Sequence, residues 1–232
     1  NAGKATVKVT GKGKFEGYTC NGNSTNMECV KGEIPRPTET AAQYFSYSEV
    51  EGGVAITGYN IEGGTDVVIP SEINGKKVVA IADYAFTSDG VTPTTINNTK
   101  KVMPSYLYND NKASVHKLAQ EITGLGITSV VIPNTVTSIG DGAFVNNKLT
   151  EITIPSSVTS IGYEAFAYNQ LTEVTIPSSV TSIGNYAFAD NQLTKIIFPS
   201  TPLTIECHTF DNNPITNGGT YTYPSNVTGG VC

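Results

Sequence analysis

Two consecutive stretches of 22 residues decide the fold of this chain. Residues 151–172 read EITIPSSVTSIGYEAFAYNQLT, and residues 173–194 read EVTIPSSVTSIGNYAFADNQLT. The two stretches differ at only four of their 22 positions. Self-similarity at a fixed period is typical of repeat architectures, in which each repeat is one supersecondary unit that stacks on the next.

The same register extends to both sides of this pair. Identical residues recur every 22 positions in three columns: Pro133, Pro155, Pro177 and Pro199; Phe144, Phe166, Phe188 and Phe210; Asn147, Asn169, Asn191 and Asn213. We interpret these columns as structural, because a packing residue recurs in every repeat whereas a catalytic residue acts at one place.

The first part of the unit has the pattern of a short strand. Ile152 and Ile154 alternate with Glu151 and Thr153, which predicts a strand that is buried on one face. Pro155 has no N–H to donate and is expected to end the strand.

The rest of the unit is predicted to return the chain to the next strand. Val158 and Ile161 supply a second apolar pair on a short return segment, and Gly162 is expected to permit a tight bend. Phe166 is expected to fill the interior of the coil, and Asn169 to form hydrogen bonds with loop backbone.

A single unit is too small to bury its own apolar face, so successive units are expected to stack. Stacking places equivalent strands side by side in a parallel sheet. We therefore predict a solenoid of five coils or slightly more, whose strands form one parallel sheet and are centred near Val68, Val130, Ile152, Val174 and Ile196.

The repeated pattern Leu-Thr-x-Ile-x-Ile-Pro-x-x-Val-x-Ser-Ile-Gly-x-x-Ala-Phe resembles the BspA-like leucine-rich repeats of bacterial and protist surface proteins. The resemblance covers residues 127–216, and residues 54–86 in a distorted form with five inserted residues. The insertion includes Asn74-Gly75, a pair that favours a tight turn. The resemblance implies a leucine-rich-repeat fold and exposure at the cell surface.

A second insertion, of 36 residues, separates Phe86 from the regular array. Within it, Lys112 to Ile122 is predicted to form a helix, because its apolar residues fall on one helical face: Val115, Leu118, Ala119 and Ile122. The helix either packs over the edge of the solenoid, which we favour, or carries function, as surface insertions often do.

The N-terminal part lacks the repeat and is predicted to form a small antiparallel β-region, with strands at 5–10, 14–20 and 27–30. Residues 3–34 resemble the distal β-region of type IV pilin-like proteins of Gram-positive bacteria, although this sequence does not include the hydrophobic N-terminal helix of a pilin. We predict a disulfide-stapled β-region and linker at 1–45, then a solenoid at 46–232. The solenoid is expected to hold the partly helical insertion at 87–123 and a C-terminal cap at 217–232.

The four cysteines fall into two local pairs, Cys20 with Cys29 and Cys207 with Cys232. Metal sites usually show tighter Cys-x-x-Cys spacing with His partners. The spacing here favours two disulfides over a metal site, and disulfides indicate an extracellular protein.

Composition argues against several classes of function. The net charge is −6, and the single arginine and the lysines form no dense basic run, so we expect no nucleic-acid partner. No apolar run is long enough for a transmembrane segment.

Motifs for catalysis are also missing from the sequence, and we expect no enzyme activity, no catalytic residue, no metal and no cofactor. Neither His116 nor His208 has a nearby Ser or Cys, and Asp141, Glu164 and Asp190 are expected in solvent-facing turns. A hydrolase with paired carboxylates stays open as a distant alternative, since spatial pairs need not be neighbours in sequence.

The outward positions of the predicted strands form a candidate binding surface. We name it the strip and define it by eight residues: Ser129, Val131, Glu151, Thr153, Glu173, Thr175, Lys195 and Ile197. We predict a non-catalytic cell-surface module for recognition or adhesion, which binds a protein or glycan of a host or neighbouring cell. The alternative is a structural subunit of a surface appendage, such as a minor type IV pilin with a leucine-rich-repeat tip.

Overall fold

The structure is a computed structural model, and it describes residues 18–23, 26–31, 38–88, 122–215 and 223–229. The chain divides into two compact units, Asn1–Thr38 and Glu39–Cys232. This division lies earlier than the predicted boundary between residues 45 and 46, because the residues just after Thr38 are hydrogen-bonded within the second unit. The Thr40 N–H donates to the Val68 carbonyl, and the Val68 N–H donates to Thr40 Oγ1, both at 2.9 Å.

The first unit contains an antiparallel pair of strands, as predicted. Strand β1 (Tyr18–Asn23) pairs with β2 (Asn26–Lys31), and Cys20 lies directly opposite Cys29 in their register. The strand predicted at 5–10 lies outside the described residues.

The second unit begins with a short 3₁₀ helix (Ala42–Tyr44) and an antiparallel hairpin of β3 (Phe45–Val50) and β4 (Gly53–Tyr59). A further 3₁₀ helix (Ile61–Gly63) precedes β5 (Asp66–Val68).

The five inserted residues of the first repeat form a small hairpin. Strands β6 (Glu72–Ile73) and β7 (Lys76–Ile81) pair antiparallel across the turn at Asn74-Gly75. Both turn residues have left-handed φ angles, 50° and 74°, which confirms the tight turn expected from the sequence.

The regular array supplies eight short strands: β8 (Ser129–Val131), β9 (Ser138–Ile139), β10 (Ser160–Ile161), β11 (Glu173–Thr175), β12 (Ser182–Ile183), β13 (Lys195–Ile197), β14 (Leu203–Ile205) and β15 (Val227–Gly229). The main sheet has nine strands. Eight follow the order β15-β14-β12-β10-β9-β7-β4-β3, and β6 pairs with β7 at its side. All neighbours along this order are parallel except β3 and β4. The result is a β-solenoid of about six turns, which confirms the predicted fold class.

The continuous sheet, however, is not the one predicted. It is built from the return segments, which follow the proline of each unit. The strands before the proline form two separate parallel pairs, β5 with β8 and β11 with β13, and residues 151–153 between them are not a strand. The prediction of one parallel sheet through Ile152 was therefore wrong. Alternation of apolar and polar residues reports which side chains are buried, and it does not report whether neighbouring backbones are close enough to form a ladder.

The core is a stack of phenylalanine rings along the solenoid. Neighbouring ring centroids in this stack are 4.6 to 5.6 Å apart, and every ring is at most 1% exposed: Phe86, Phe144, Phe166, Phe188 and Phe210. Ring pairs at such distances contribute about 0.5–1.5 kcal/mol beyond their area burial. The predicted interior role of this column is confirmed.

The asparagine column satisfies buried backbone groups between coils, as predicted. Asn169 Oδ1 accepts from the Leu149 N–H at 3.0 Å, and Asn169 Nδ2 donates to the carbonyls of Phe144 and Phe166 at 2.9 and 3.1 Å. The same arrangement recurs at Asn191 and Asn213.

Gly162 has a different role from the predicted one. The left-handed φ angles lie two residues further along, at 56° for Gly142, 50° for Glu164 and 57° for Tyr186. A Cβ on Gly162 would lie 2.5 Å from Asp141 Oδ1 and 2.7 Å from the Asp141 N atom in the preceding coil. Glycine is needed at this position because adjacent coils approach closely, and not because the chain bends there.

The ends of the long insertion are joined to each other. Thr87 and Gly124 form an antiparallel bridge, and the Ser88 N–H donates to the Thr123 carbonyl at 2.8 Å. The helix predicted for Lys112 to Ile122 lies outside the described residues except for Ile122, which is buried.

Part of the predicted cap continues the stack. Strand β15 pairs parallel with β14, and Asn226 Nδ2 donates to the carbonyls of Pro199 and Thr201 at 2.9 and 2.7 Å. Residues 223–229 therefore extend the solenoid.

Candidate recognition surface

The strip lies on the outward side of the strands that precede the prolines. Seven of its eight residues are exposed, and Ser129 is half-buried. The inward neighbours Val130, Val174 and Ile196 are buried in the core. The side chains of the strip are therefore placed for contact with a partner, and binding by them stays a prediction.

Two pairs of strip residues are fixed by the register of β11 and β13. Glu173 lies opposite Lys195, and Thr175 lies opposite Ile197. Lys195 Nζ is 3.3 Å from Glu173 Oε2. Both side chains are mostly exposed, so this ion pair adds little to stability. Within the residues that the structure describes, Glu151 has neither an ion-pair nor a hydrogen-bond partner.

The structure adds Asp66 to this surface, which the sequence reasoning missed. Asp66 lies opposite Ser129 in the register of β5 and β8, and its Oδ1 accepts from the hydroxyls of Thr128 and Ser129, both at 2.9 Å. The signal was present, because Asp66 precedes Pro70 by the same four positions that separate Ser129 from Pro133.

Apolar side chains lie at both ends of the strip. Val131 is 45% exposed and Ile197 is 43% exposed, and only three other large hydrophobic residues are exposed in the described part of the chain. The middle of the strip carries Glu and Thr in place of these apolar residues. The strip therefore has apolar ends and a polar middle. A face that only contacts solvent would be expected to have a more even distribution of polar side chains.

A cleft opens in the middle of the strip, where the strand ladder is interrupted. It is lined by Glu151, Ile152, Thr153, Ile154, Glu173, Thr175 and Pro177. A second, wider depression beside it brings in Gln170, Gln192, Thr150 and Thr172. The interruption at residues 151–153 thus turns part of a flat sheet face into a concave one.

The C-terminal histidine lies in a different setting. His208 Nδ1 is 2.6 Å from Asp211 Oδ2, and its ring stacks on Tyr186 with centroids 4.8 Å apart. The neighbouring Cys207 is disulfide-bonded. Cys232 lies outside the described residues, so the predicted Cys207–Cys232 pairing stays a prediction, as does the Cys20–Cys29 bond. His116 also lies outside the described residues.

One predicted solvent-facing carboxylate is buried. Glu164 has 0% exposure, whereas Asp141 and Asp190 are half-buried. The expectation for Glu164 was wrong, because its carboxylate is buried near the hydroxyls of Tyr84 and Tyr186. Burial raises the pKa of Tyr84 well above its ordinary range, and the nearby carboxylates of Glu164, Asp141 and Asp83 raise it further. Burial likewise raises the pKa of the Tyr186 hydroxyl.

In the part of the chain that the structure describes, no helix has the length and apolar character needed to cross a membrane.

Three solved structures are similar to this chain. A leucine-rich repeat protein from Bacteroides capillosus is 22% identical, with a TM-score of 0.46 over 69% of this chain and 97% of that one. The T. pallidum leucine-rich repeat protein is 22% identical, with a TM-score of 0.40 over 75% of this chain and 89% of that one. A leucine-rich cell surface protein from Faecalibacterium prausnitzii is 20% identical, with a TM-score of 0.45 over 84% of this chain and 50% of that one. No curated protein sequence matches the chain.

The sequence family named "BspA type Leucine rich repeat region" matches residues 123–229 in six copies. The match covers the regular array with its stacked phenylalanines and asparagines, and it extends into the tail as far as β15. Residues 123–229 thus match the BspA type leucine rich repeat family.

Proposed function

We propose that this chain is a non-catalytic recognition or adhesion module at a cell surface, and that it binds a partner through the strip. The observation that carries the proposal is the pair of exposed apolar residues, Val131 and Ile197, at the two ends of a polar and partly concave sheet face. Interfaces between proteins combine apolar and polar contacts.

The repeat family supports a role in protein interaction or at the surface, since stacked repeats build extended binding faces. Absence of catalysis is part of the proposal, and the regularity of the fold supports it. The column residues pack or satisfy backbone groups in coil after coil, as Phe166 and Asn169 do.

The test is the double substitution Glu151→Lys and Glu173→Lys, measured as binding of the labelled protein to cultured epithelial cells and to immobilised extracellular-matrix proteins. We expect at least a tenfold loss of binding, because both side chains are exposed near the centre of the strip and the change reverses their charge. The matched control is Glu51→Lys with Glu72→Lys, two exposed residues outside the strip that change the net charge equally.

Circular dichroism should show that both double variants keep the native fold. If the strip variant binds as well as the native protein, the site lies elsewhere, and the insertion at 87–123 is the next candidate. If the control variant loses binding equally, net charge and not the strip determines adhesion.

The alternative function, a structural subunit such as a minor type IV pilin, draws on the antiparallel pairing of β1 and β2 in the first unit. Recovery of the chain from purified surface filaments would favour it.

A further inference from the structure

The cleft in the strip has an apolar floor and a polar rim. The half-buried side chains of Ile152 and Pro177 contribute the apolar floor, and the rim carries exposed carboxylates and hydroxyls from Glu151, Glu173, Thr153 and Thr175. A site of this kind can bind one side chain of a partner at both ends, with apolar contacts at the floor and polar contacts at the rim.

The apolar floor exists because the sheet is interrupted at one coil. The residues equivalent to Ile152 in the other coils are buried: Val67 is 0% exposed, Val130 7%, Val174 2% and Ile196 9%. Ile152 is half-buried. Where the neighbouring strands do not form a ladder, the side chain that would be sealed beneath the sheet becomes accessible from the cleft.

The two carboxylates of the rim are not equivalent. Lys195 lies 3.3 Å from Glu173 and partly neutralises it, whereas Glu151 has no ion-pair partner among the described residues. The rim therefore keeps uncompensated negative charge, most of it at Glu151.

A side chain that fits both parts of the cleft has an aliphatic stem and a cationic head. Arginine and lysine bury their methylene stems on apolar surface and keep the charged group at a polar edge. Arginine fits best, because its planar guanidinium presents several donors to carboxylates and hydroxyls at once. A glycan is less well matched, since none of the described residues that line the cleft is an aromatic platform for a sugar.

We propose that this cleft receives an arginine side chain from a protein partner, with the stem on Ile152 and Pro177 and the guanidinium between Glu151 and Glu173. The inference rests on the proposed function and names the chemistry of the partner at the centre of the strip.

The experiment titrates the full chain, labelled with ¹⁵N, with N-acetyl-arginine methylamide and follows its amide resonances. We expect shifts confined to residues 151–154 and 173–177. The citrulline derivative of the same shape, which has no charge, should produce shifts at least fivefold smaller at equal concentration. The norleucine derivative, which keeps only the aliphatic stem, should behave like the citrulline derivative.

Three variants rank the rim groups. Glu151→Gln should weaken binding of the arginine derivative at least fivefold, and more than Glu173→Gln does. Lys195→Gln should strengthen binding, because it removes the cation that competes for Glu173. Glu51→Gln, at an exposed turn outside the strip, should leave binding unchanged.

Equal shifts with the arginine and citrulline derivatives, or no shifts at the cleft, would overturn the arginine assignment. So would unchanged binding by Glu151→Gln, whose native-like amide spectrum would show that the fold is kept. None of these outcomes depends on binding to cells. If the strip variants lose cell binding but the arginine derivative causes no amide shifts at the cleft, the proposed function is kept and an arginine partner is rejected.

Discussion

At the scale of single residues, glycine and asparagine keep successive coils in contact. Asn169 connects two successive coils through its side-chain amide, with bonds to Leu149 and Phe144 that cross 20 and 25 residues of sequence. Gly162 lets two backbones approach to a distance that a Cβ would prevent. These residues act between coils, and this explains why both recur with the full period of the repeat.

Gly162→Ala should destabilise the protein more than Gly75→Ala. The added methyl at 162 would lie 2.5 Å from Asp141 Oδ1 and 2.7 Å from backbone atoms, an overpacking that costs about 1–3 kcal/mol. Gly75 has a φ of 74°, yet a Cβ there would meet nothing within 4 Å, so Ala costs only about 1 kcal/mol of backbone strain. Urea denaturation of both variants measures the difference. A larger loss of stability in Gly75→Ala would show that glycine is required for bending of the backbone, and not for the close approach of adjacent coils.

At the scale of elements, each coil contributes two short strands with different neighbours. The return strands β9, β10 and β12 form a continuous ladder, whereas the strands before the prolines pair only in twos. Threonine side chains reinforce the return ladder, since Thr159 Oγ1 donates to the Thr137 carbonyl at 3.1 Å, and Thr181 Oγ1 to the Thr159 carbonyl at 3.2 Å. The strip lies on the side of each coil where the ladder is discontinuous.

The β1–β2 hairpin should be closed by a Cys20–Cys29 disulfide, because the two Cα atoms are direct partners in the register. Mass spectrometry of unreduced proteolytic peptides should show this linkage and a second one between Cys207 and Cys232. Cys20→Ala with Cys29→Ala should lower the stability of the hairpin by about 2–3 kcal/mol, from the closure of a short loop. Free thiols at all four positions would contradict both pairings.

At the scale of the whole molecule, the second unit is a stack in which each coil is stabilised mainly by its neighbours. The phenylalanine column crosses five coils without a gap, from Phe86 to Phe210. The insertion at 87–123 does not disturb this stack, because its ends are hydrogen-bonded to each other and Phe86 still stacks on Phe144. Stability should therefore grow with the number of coils.

A duplicate of residues 151–172 inserted after Thr172 should fold as one extra coil and raise the midpoint of thermal unfolding. Each added coil supplies a further Phe–Phe ring contact, like that of Phe166 with Phe188. It also supplies a further set of side-chain hydrogen bonds like those of Asn169. The control inserts the same 22 residues with their two halves exchanged, which keeps composition and breaks the register. Circular dichroism follows both proteins on heating, and equal stability of the two insertions would show that register does not govern the stack.

The sequence by itself determined the period, the core columns and the outward positions of the strip. Each of these follows from residues that recur every 22 positions, because the same pattern of buried and exposed residues occurs in every coil. Only the tertiary structure decided that the return segments carry the continuous sheet, that Glu164 is buried, that Asp66 lies beside Ser129, and that a cleft opens at Ile152. Side-chain periodicity reports which way a residue faces within its own coil. Ladders, burial of a polar turn residue and clefts depend on the distance between coils, which the packing of the whole stack sets.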